Sequence, residues 1–342
     1  MLLGGFGTRL RPFTLTTPKS FLPVVNKPLI YYQFYLLSKY GIDTVILAIG
    51  QHCKTYKEVF SIAKKAGIKL YISCEKNPLG TAGGIKNSRK FLKGEKEFFV
   101  FNGDIISDCD LEEMLNFHKE KDAFATICTT TVDNPSAFGV IDIDGEKRIR
   151  AFIEKPLKPA SNIINAGIYI LQSDILNEIP DGKETSIEKE TFPELINKGK
   201  GLYAFLHTGY WIDVGTIENY KKANFDAIKL KSYIEDSDEP PSNNNFYRNI
   251  CIQGSLIKGR NIVFGEGVEI RGNVIIGDGC YIGSKAIIQD SILFENVIIG
   301  ENSWVSQSII GNSVFIEDNC EVKNCAIADS SRLCRFSKIA NI

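Results

Sequence analysis

The chain of 342 residues carries 40 Lys and Arg against 41 Asp and Glu, a net charge of −1. That length suits two domains with buried cores, and 44% hydrophobic with 24% charged residues is ordinary for a globular protein. So even a balance excludes a general basic field, and neither nucleic acid nor a membrane is expected as a partner. Nine cysteines without a C-x-x-C pair and only three histidines argue against zinc and for free thiols in a reducing compartment, the cytoplasm by default.

Leu2 and Leu3 read as the end of a buried strand, followed by Gly4, Gly5 and Gly7, then Thr8, Arg9 and Arg11, with Lys19 further on. Closely spaced glycines let the backbone turn with positive φ and bring its N–H groups against a ligand. A nest of amides after a strand suits phosphate oxygens, and the three cations would gather round the same anion. Two familiar phosphate loops are excluded: G-x-x-x-x-G-K-[ST] is absent, and the third glycine of G-x-G-x-x-G is replaced.

Beyond this loop, residues 44–49, 69–73 and 97–101 are short apolar runs that read as buried strands. Between them helices are expected over 28–40, 55–66 and 84–92, the first two stopped by Gly41 and Gly67. The alternation predicts an α/β domain over 1–230, Rossmann-like, with a mainly parallel mixed sheet and ligands at the carboxyl ends of its strands. Residues 231–247, with an acidic run, Pro240-Pro241 and three asparagines, read as a linker.

The period then changes. Phe264, Ile270, Ile276, Ile282, Ile288 and Phe294 are spaced by six, and Ile299, Val305, Ile310, Ile316, Val322 and Ile327 continue at five or six. This suits a parallel β-helix over 248–342, one inward side chain per flat side. Gly265, Gly277, Gly283, Gly300 and Gly311 fit corners needing unusual backbone angles. Apolar stretches such as Val274–Ile276 and Val297–Ile299 suggest a homo-oligomer formed through this domain.

Four further motifs carry chemistry. Asp104, in Asn102-Gly103-Asp104, follows a strand, where a carboxylate can meet a metal ion and phosphates; Asp213, in Trp211-Ile212-Asp213-Val214-Gly215-Thr216, is a second candidate. Small residues follow Glu75 at Gly80, Thr81, Ala82 and Gly83, where a flat base could lie against backbone. Phe138-Gly139-Val140, Glu154-Lys155-Pro156 and Asn165-Ala166-Gly167-Ile168-Tyr169 form a third set, and Ser186–Glu190 a fourth.

In order and spacing these motifs resemble those of the sugar-1-phosphate nucleotidyltransferases, and the repeat domain resembles the left-handed hexapeptide β-helix appended to many of them. The opening stretch is similar to the family's G-G-x-G-T-R-L-x-P…P-K loop, in which Gly4, Gly5, Gly7 and Thr8 would hold the nucleotide's phosphates. The family carries a few more residues before this loop, and a start codon placed late is the expectation. The resemblance implies that Arg9 stabilises departing pyrophosphate and Lys19 the α-phosphate. It makes Asp104 and Asp213 ligands of Mg²⁺, and Glu75, Gly80 and Thr81 part of the base site. Gly139, Glu154 and Asn165 would meet sugar hydroxyls, and Lys155 the sugar's phosphate.

Pro78–Gly83 has the form seen in guanylyltransferases, and Ser186–Glu190 resembles a run of mannose- and heptose-1-phosphate guanylyltransferases. The implied reaction joins a nucleoside triphosphate, GTP first, to a sugar 1-phosphate, mannose 1-phosphate first. Heptose 1-phosphate, and glucose 1-phosphate with thymidylyl or uridylyl transfer, are the alternatives, as is a regulatory subunit that binds without catalysis. Acyl transfer by the β-helix is disfavoured because residues 208–342 hold no histidine. His52, His118 and His207 read as surface or core polar groups.

Overall fold

The structure, a computed structural model, describes residues 1–5, 7–50, 59–229 and 250–341, which leaves His52 and the expected linker outside. The chain forms two compact units, Met1–Gly5 with Ile30–Asp213, and Phe6–Leu29 with Val214–Ile342.

In the first unit, Leu2–Leu3 pairs in parallel with Thr44–Ile49, which pairs in parallel with Lys69–Cys74. A parallel bridge from Leu2 to Asn102 brings the end of Glu97–Phe101 to the other side of that short strand. Glu97–Phe101 runs antiparallel to Ile163–Gln172, which is antiparallel to Ala125–Thr131, and Leu202–Leu206 adds to the latter in parallel. The sheet is therefore mixed: parallel where helices cross over, antiparallel around Ile163–Gln172. Buried Ile127, Tyr169, Leu171 and Phe192 centre one apolar cluster on it. Burying each such side chain is worth about 1.5–3 kcal/mol.

The first helix spans Leu29–Lys39. The second is described over Val59–Lys65, the start of the expected 55–66 lying outside the described residues. The third begins four residues before its expected start, at Gly80, and runs to Asn87. The carbonyl of Thr185 accepts from the amides of Ala82 and Gly83 at 3.0 and 3.3 Å, so a distant segment supplies the cap that the local sequence lacks. His118 is buried with Nδ1 2.8 Å from Thr126 Oγ1, and burial lowers its pKa, which makes it a core polar group. Cys74 is disulfide-bonded, so the expectation of free thiols fails there; among the described residues seven others are free.

The second unit is built on the β-helix. Val263, Tyr281, Ile298, Phe315 and Arg332 stack in parallel register, 17 or 18 residues per coil. Inside, Ile270, Ile288, Val305, Val322 and Ile339 form one ladder, and Ile276, Leu293, Ile310 and Ile327 another. Leu293 occupies the place expected for Phe294, because a 17-residue coil is one short of three sixes. Phe294 instead packs outside the ladder, its ring 5.1 Å from Phe13 and 6.2 Å from Tyr220.

The glycines also serve a different purpose from the one expected. Gly265, Gly277, Gly283, Gly300 and Gly311 are absent from the positive-φ residues, whereas Asn296, Asn302, Asn319 and Asn324 hold φ of 57°, 55°, 58° and 51°. Asparagine tolerates that region better than most side chains. The glycines sit where the next coil passes: a Cβ on Gly300 would lie 2.5 Å from Asp318 N. Val274, Ile275 and Ile276 are fully buried and offer no surface, while Ile298, Tyr281 and Val263 are 40%, 41% and 55% exposed.

Candidate functional site

The second unit holds the phosphate-loop candidates Gly7, Thr8, Arg9 and Lys19. Gly7 adopts φ 59°, and a Cβ there would meet Thr14 Cγ2 at 2.8 Å and Lys19 Cβ at 3.5 Å. Thr14 Oγ1 donates to the Gly7 carbonyl at 2.7 Å, so the loop folds back on itself and carries Lys19 beside its glycine turn. Arg9 and Arg11 are exposed, whereas Leu10 between them and Phe13 just beyond are buried. Apolar anchors thus fix the segment while its charges face outward. Pro23–Val24 and Lys27–Pro28 close it as a hairpin, held where Asn224 Oδ1 accepts from Val25 N at 2.8 Å.

The first unit holds the remaining candidates; Gly4 and Gly5, at its edge, are exposed. Strand pairing sets the two carboxylate-bearing segments side by side. Trp211–Asp213 runs antiparallel to Ile105–Ser107, with Asp213 opposite Ile105, so Asp104 directly precedes the cross-strand partner of Asp213. Both are half-buried. Gln33 Nε2 donates to the carbonyls of Asn102 and Ile105 at 2.7 and 3.1 Å and so brackets the Asp104 turn from the first helix. Trp211 Nε1 donates to Ala166 O at 2.9 Å, tying the Asp213 strand to the Asn165 strand.

Two half-buried carboxylates are hard oxygen donors of the kind a divalent cation takes. Such an ion keeps several waters and needs few protein ligands.

On the sugar-side candidates, Glu154 pairs with Gly139 across antiparallel strands. A Cβ on Gly139 would lie 2.6 Å from Phe152 Cζ and 2.9 Å from Glu154 Oε2, so the glycine makes room for the carboxylate itself. Lys155 holds φ 51° and its ammonium lies 3.4 Å from Glu154 Oε1, with the side chain 59% exposed. Asn165 Nδ2 donates to Tyr169 Oη at 2.8 Å, and Gly167 N donates to Asn165 Oδ1 at 2.8 Å.

Around the base-loop candidates, Glu75 Oε2 accepts from Leu79 N at 3.0 Å, and its other oxygen lies 2.7 Å from where a Cβ on Gly84 would be. Burial pushes its pKa up, with the Leu79 N–H pulling the other way. Glu75 therefore caps its own loop. Gly80, at φ 69°, lies so near Thr185 O that a Cβ would approach it to 2.5 Å. Thr81 Oγ1 donates to Glu188 Oε2 at 2.7 Å and accepts from Ile187 N at 2.8 Å. The hydroxyl's proton is thus committed within the protein.

Gln33 was not among the expected residues, though a buried polar residue on an apolar helix face is a readable signal; Tyr169 fell within the third motif but carried no role of its own.

Comparison with known proteins agrees with the geometry. Residues 1–229 match the nucleotidyl transferase family and residues 252–336 the GMPPB C-terminal domain. The chain is 37% identical to mannose-1-phosphate guanylyltransferase 1 of Arabidopsis thaliana, covering 96% of this chain and 89% of that protein. It is 35% identical to the mannose-1-phosphate guanylyltransferase catalytic subunit beta of Danio rerio, covering 96% and 94%. Among solved structures, HddC from Yersinia pseudotuberculosis complexed with GMP-PN superposes with TM-score 0.56 at 30% identity, covering 66% of this chain and 96% of that one. The chain therefore belongs to the nucleotidyltransferase family, alongside the mannose-1-phosphate guanylyltransferases.

Proposed function

We propose that this protein transfers GMP from GTP to mannose 1-phosphate, giving GDP-mannose and pyrophosphate. The observation that carries the reading is the match to mannose-1-phosphate guanylyltransferases over nearly the whole chain. The pairing of the Asp213 strand with the strand that follows Asp104 supports it.

An oxygen of the sugar phosphate attacks the α-phosphorus of GTP in line, and the bond from that phosphorus to the bridging oxygen breaks as pyrophosphate leaves. The attacking oxygen is already anionic, so the chain need supply no general base. Its work is position and neutralisation of charge. Arg9 meets the departing pyrophosphate and Lys19 the α-phosphate, while Lys155 holds the phosphate of the sugar. Glu154 and Asn165 take sugar hydroxyls; Glu75, Gly80 and Thr81 shape the base loop, and Gly4, Gly5, Gly7 and Thr8 bend the chain around the triphosphate. Asp104 and Asp213 would hold a divalent metal, Mg²⁺ in this reading, which when bound supplies positive charge against the phosphate oxygens.

The test is pyrophosphate release with mannose 1-phosphate and Mg²⁺, offering GTP, dTTP, UTP and ATP separately. A clear preference for GTP is expected. Preference for dTTP or UTP would refute the base assignment. Release with heptose 1-phosphate but not mannose 1-phosphate would refute the sugar. Binding of GDP-mannose without release from any pair would point to a regulatory subunit.

A further inference from the structure

Tyr169 is fully buried in the first unit, and its hydroxyl joins the third and fourth of the motifs above. Asn165 Nδ2 donates to it at 2.8 Å. The hydroxyl's own proton points to Glu188 Oε1, a long contact of 3.4 Å. The other oxygen of Glu188 accepts from Thr81 Oγ1 at 2.7 Å and from Ser186 Oγ at 2.9 Å. This carboxylate accepts from three hydroxyls, those of Thr81, Ser186 and Tyr169.

The polarity of the chain of bonds is what matters. An ionised carboxylate can only accept. Glu188 therefore fixes the hydroxyls of Thr81 and Tyr169 as donors toward it. The Tyr169 oxygen is then left to accept, which sets the amide of Asn165 with nitrogen toward the ring oxygen and Oδ1 toward Gly167 N. One Asn165 N–H remains for a ligand oxygen. Burial and the nearby Glu188 charge push the phenol pKa well up, so the hydroxyl stays protonated across the working range.

We propose that Tyr169 is a positioning residue. Its hydroxyl, steered by Glu188, holds Asn165 in the orientation that reads the sugar, and Glu188 ties that group to Thr81 in the base loop. The sugar side and the base side of the first unit form one hydrogen-bonded assembly. This rests on the reading of Asn165 and Thr81 under the proposed function.

The test uses the full chain with Tyr169→Phe, which removes one oxygen at nearly constant volume, and Glu188→Gln. Stranding a buried donor costs enough to change binding about tenfold or more. Tyr169→Phe should raise the KM for mannose 1-phosphate by about that factor, with kcat and the KM for GTP within about threefold. Glu188→Gln should raise both KM values, and the double variant should be no worse toward the sugar than Glu188→Gln alone. An unchanged sugar KM in Tyr169→Phe, or a fall in kcat with both KM values unchanged, overturns the proposal.

Hydrogen exchange on the unliganded protein separates this inference from the functional reading beneath it. Exchange at the Gly167 amide, which donates to Asn165, should accelerate about tenfold in Tyr169→Phe. If the wild type fails to use GTP and mannose 1-phosphate, the functional reading fails by itself, and the exchange result still decides whether Tyr169 orients Asn165. Unchanged exchange would refute it.

Discussion

The two units satisfy their buried hydroxyls in different ways. In the β-helix, Ser291 Oγ donates to Gln289 O at 2.6 Å and Ser308 Oγ to Ser306 O at 2.7 Å, while each oxygen accepts an amide from the next coil, Ser308 N at 3.1 Å and Cys325 N at 3.0 Å. These bonds run from side chain to backbone and recur every coil. In the first unit, Asn165, Tyr169, Glu188 and Thr81 bond side chain to side chain, across as many as 107 residues of sequence. Such bonds are the minority kind in folded proteins. The first arrangement stacks coils and needs no particular partner beyond the next one. The second fixes the direction of individual donors, which stacking does not require and ligand recognition does.

If this distinction is sound, mutations should divide along it. The largest effect belongs to the carboxylate pair. Asp104→Asn and Asp213→Asn keep shape and remove charge, and each should lower turnover by about 10²–10³. Lys19→Ala should do the same. Thermal midpoints should hardly move, since the Asp213 strand is fixed by its backbone pairing. Pyrophosphate release with saturating substrates measures it, and full turnover in either aspartate variant would remove the pair from the mechanism.

In the β-helix the expected loss is stability. Ile299, fully buried between Ile282 and Ile316 of the neighbouring coils, should cost about 2–5 kcal/mol when cut to alanine. The protein has two tryptophans. Trp304 lies in the β-helix, so urea unfolding followed by fluorescence in a Trp211→Phe background reports on that unit. An unshifted midpoint would mean that the coil core is looser than its burial indicates. Ser308→Ala is the milder probe. It strands the Cys325 amide at a cost of about 1–3 kcal/mol, and it should leave both KM values alone, in contrast to Tyr169→Phe.

The same division decides what could be read from the sequence. The β-helix was legible because each inward position repeats. The slip from Leu293 to Phe294 arose because the coil is 17 residues, a number that spacing by six cannot produce. The corner glycines were visible, but their reason was not: the approach of Asp318 to Gly300 is a contact between coils, and asparagines took the positive-φ positions instead. In the α/β part, strands and the first helix followed from apolar runs. The third helix began early because Thr185, about a hundred residues downstream, caps it. Asp104 and Asp213 were each identifiable, and the pairing of the segments that bear them required the register of two strands. The Tyr169 network joined residues whose only common signal is chemistry at a distance.

Glu75 offers the smallest effect and the finest distinction. The sequence placed it among groups that meet the nucleotide, whereas in the fold its carboxylate caps Leu79 N. Burial raises its pKa above the ordinary carboxylate value. A group whose folded pKa is raised is most favourable below its unfolded pKa, where both states are protonated. Its contribution is lost as pH rises through the folded value, so at neutral pH the ionised side chain works against the fold. Glu75→Gln can still accept from Leu79 N and carries no charge. Its stability should match the wild type near pH 3 and decline less between the ordinary carboxylate range and pH 7, as thermal midpoints across that span would show. The KM for GTP then separates the two roles. A cap predicts a change within about twofold; a rise of about tenfold or more would mean that the carboxylate itself touches the base, since a lost contact to a charged acceptor is worth that much.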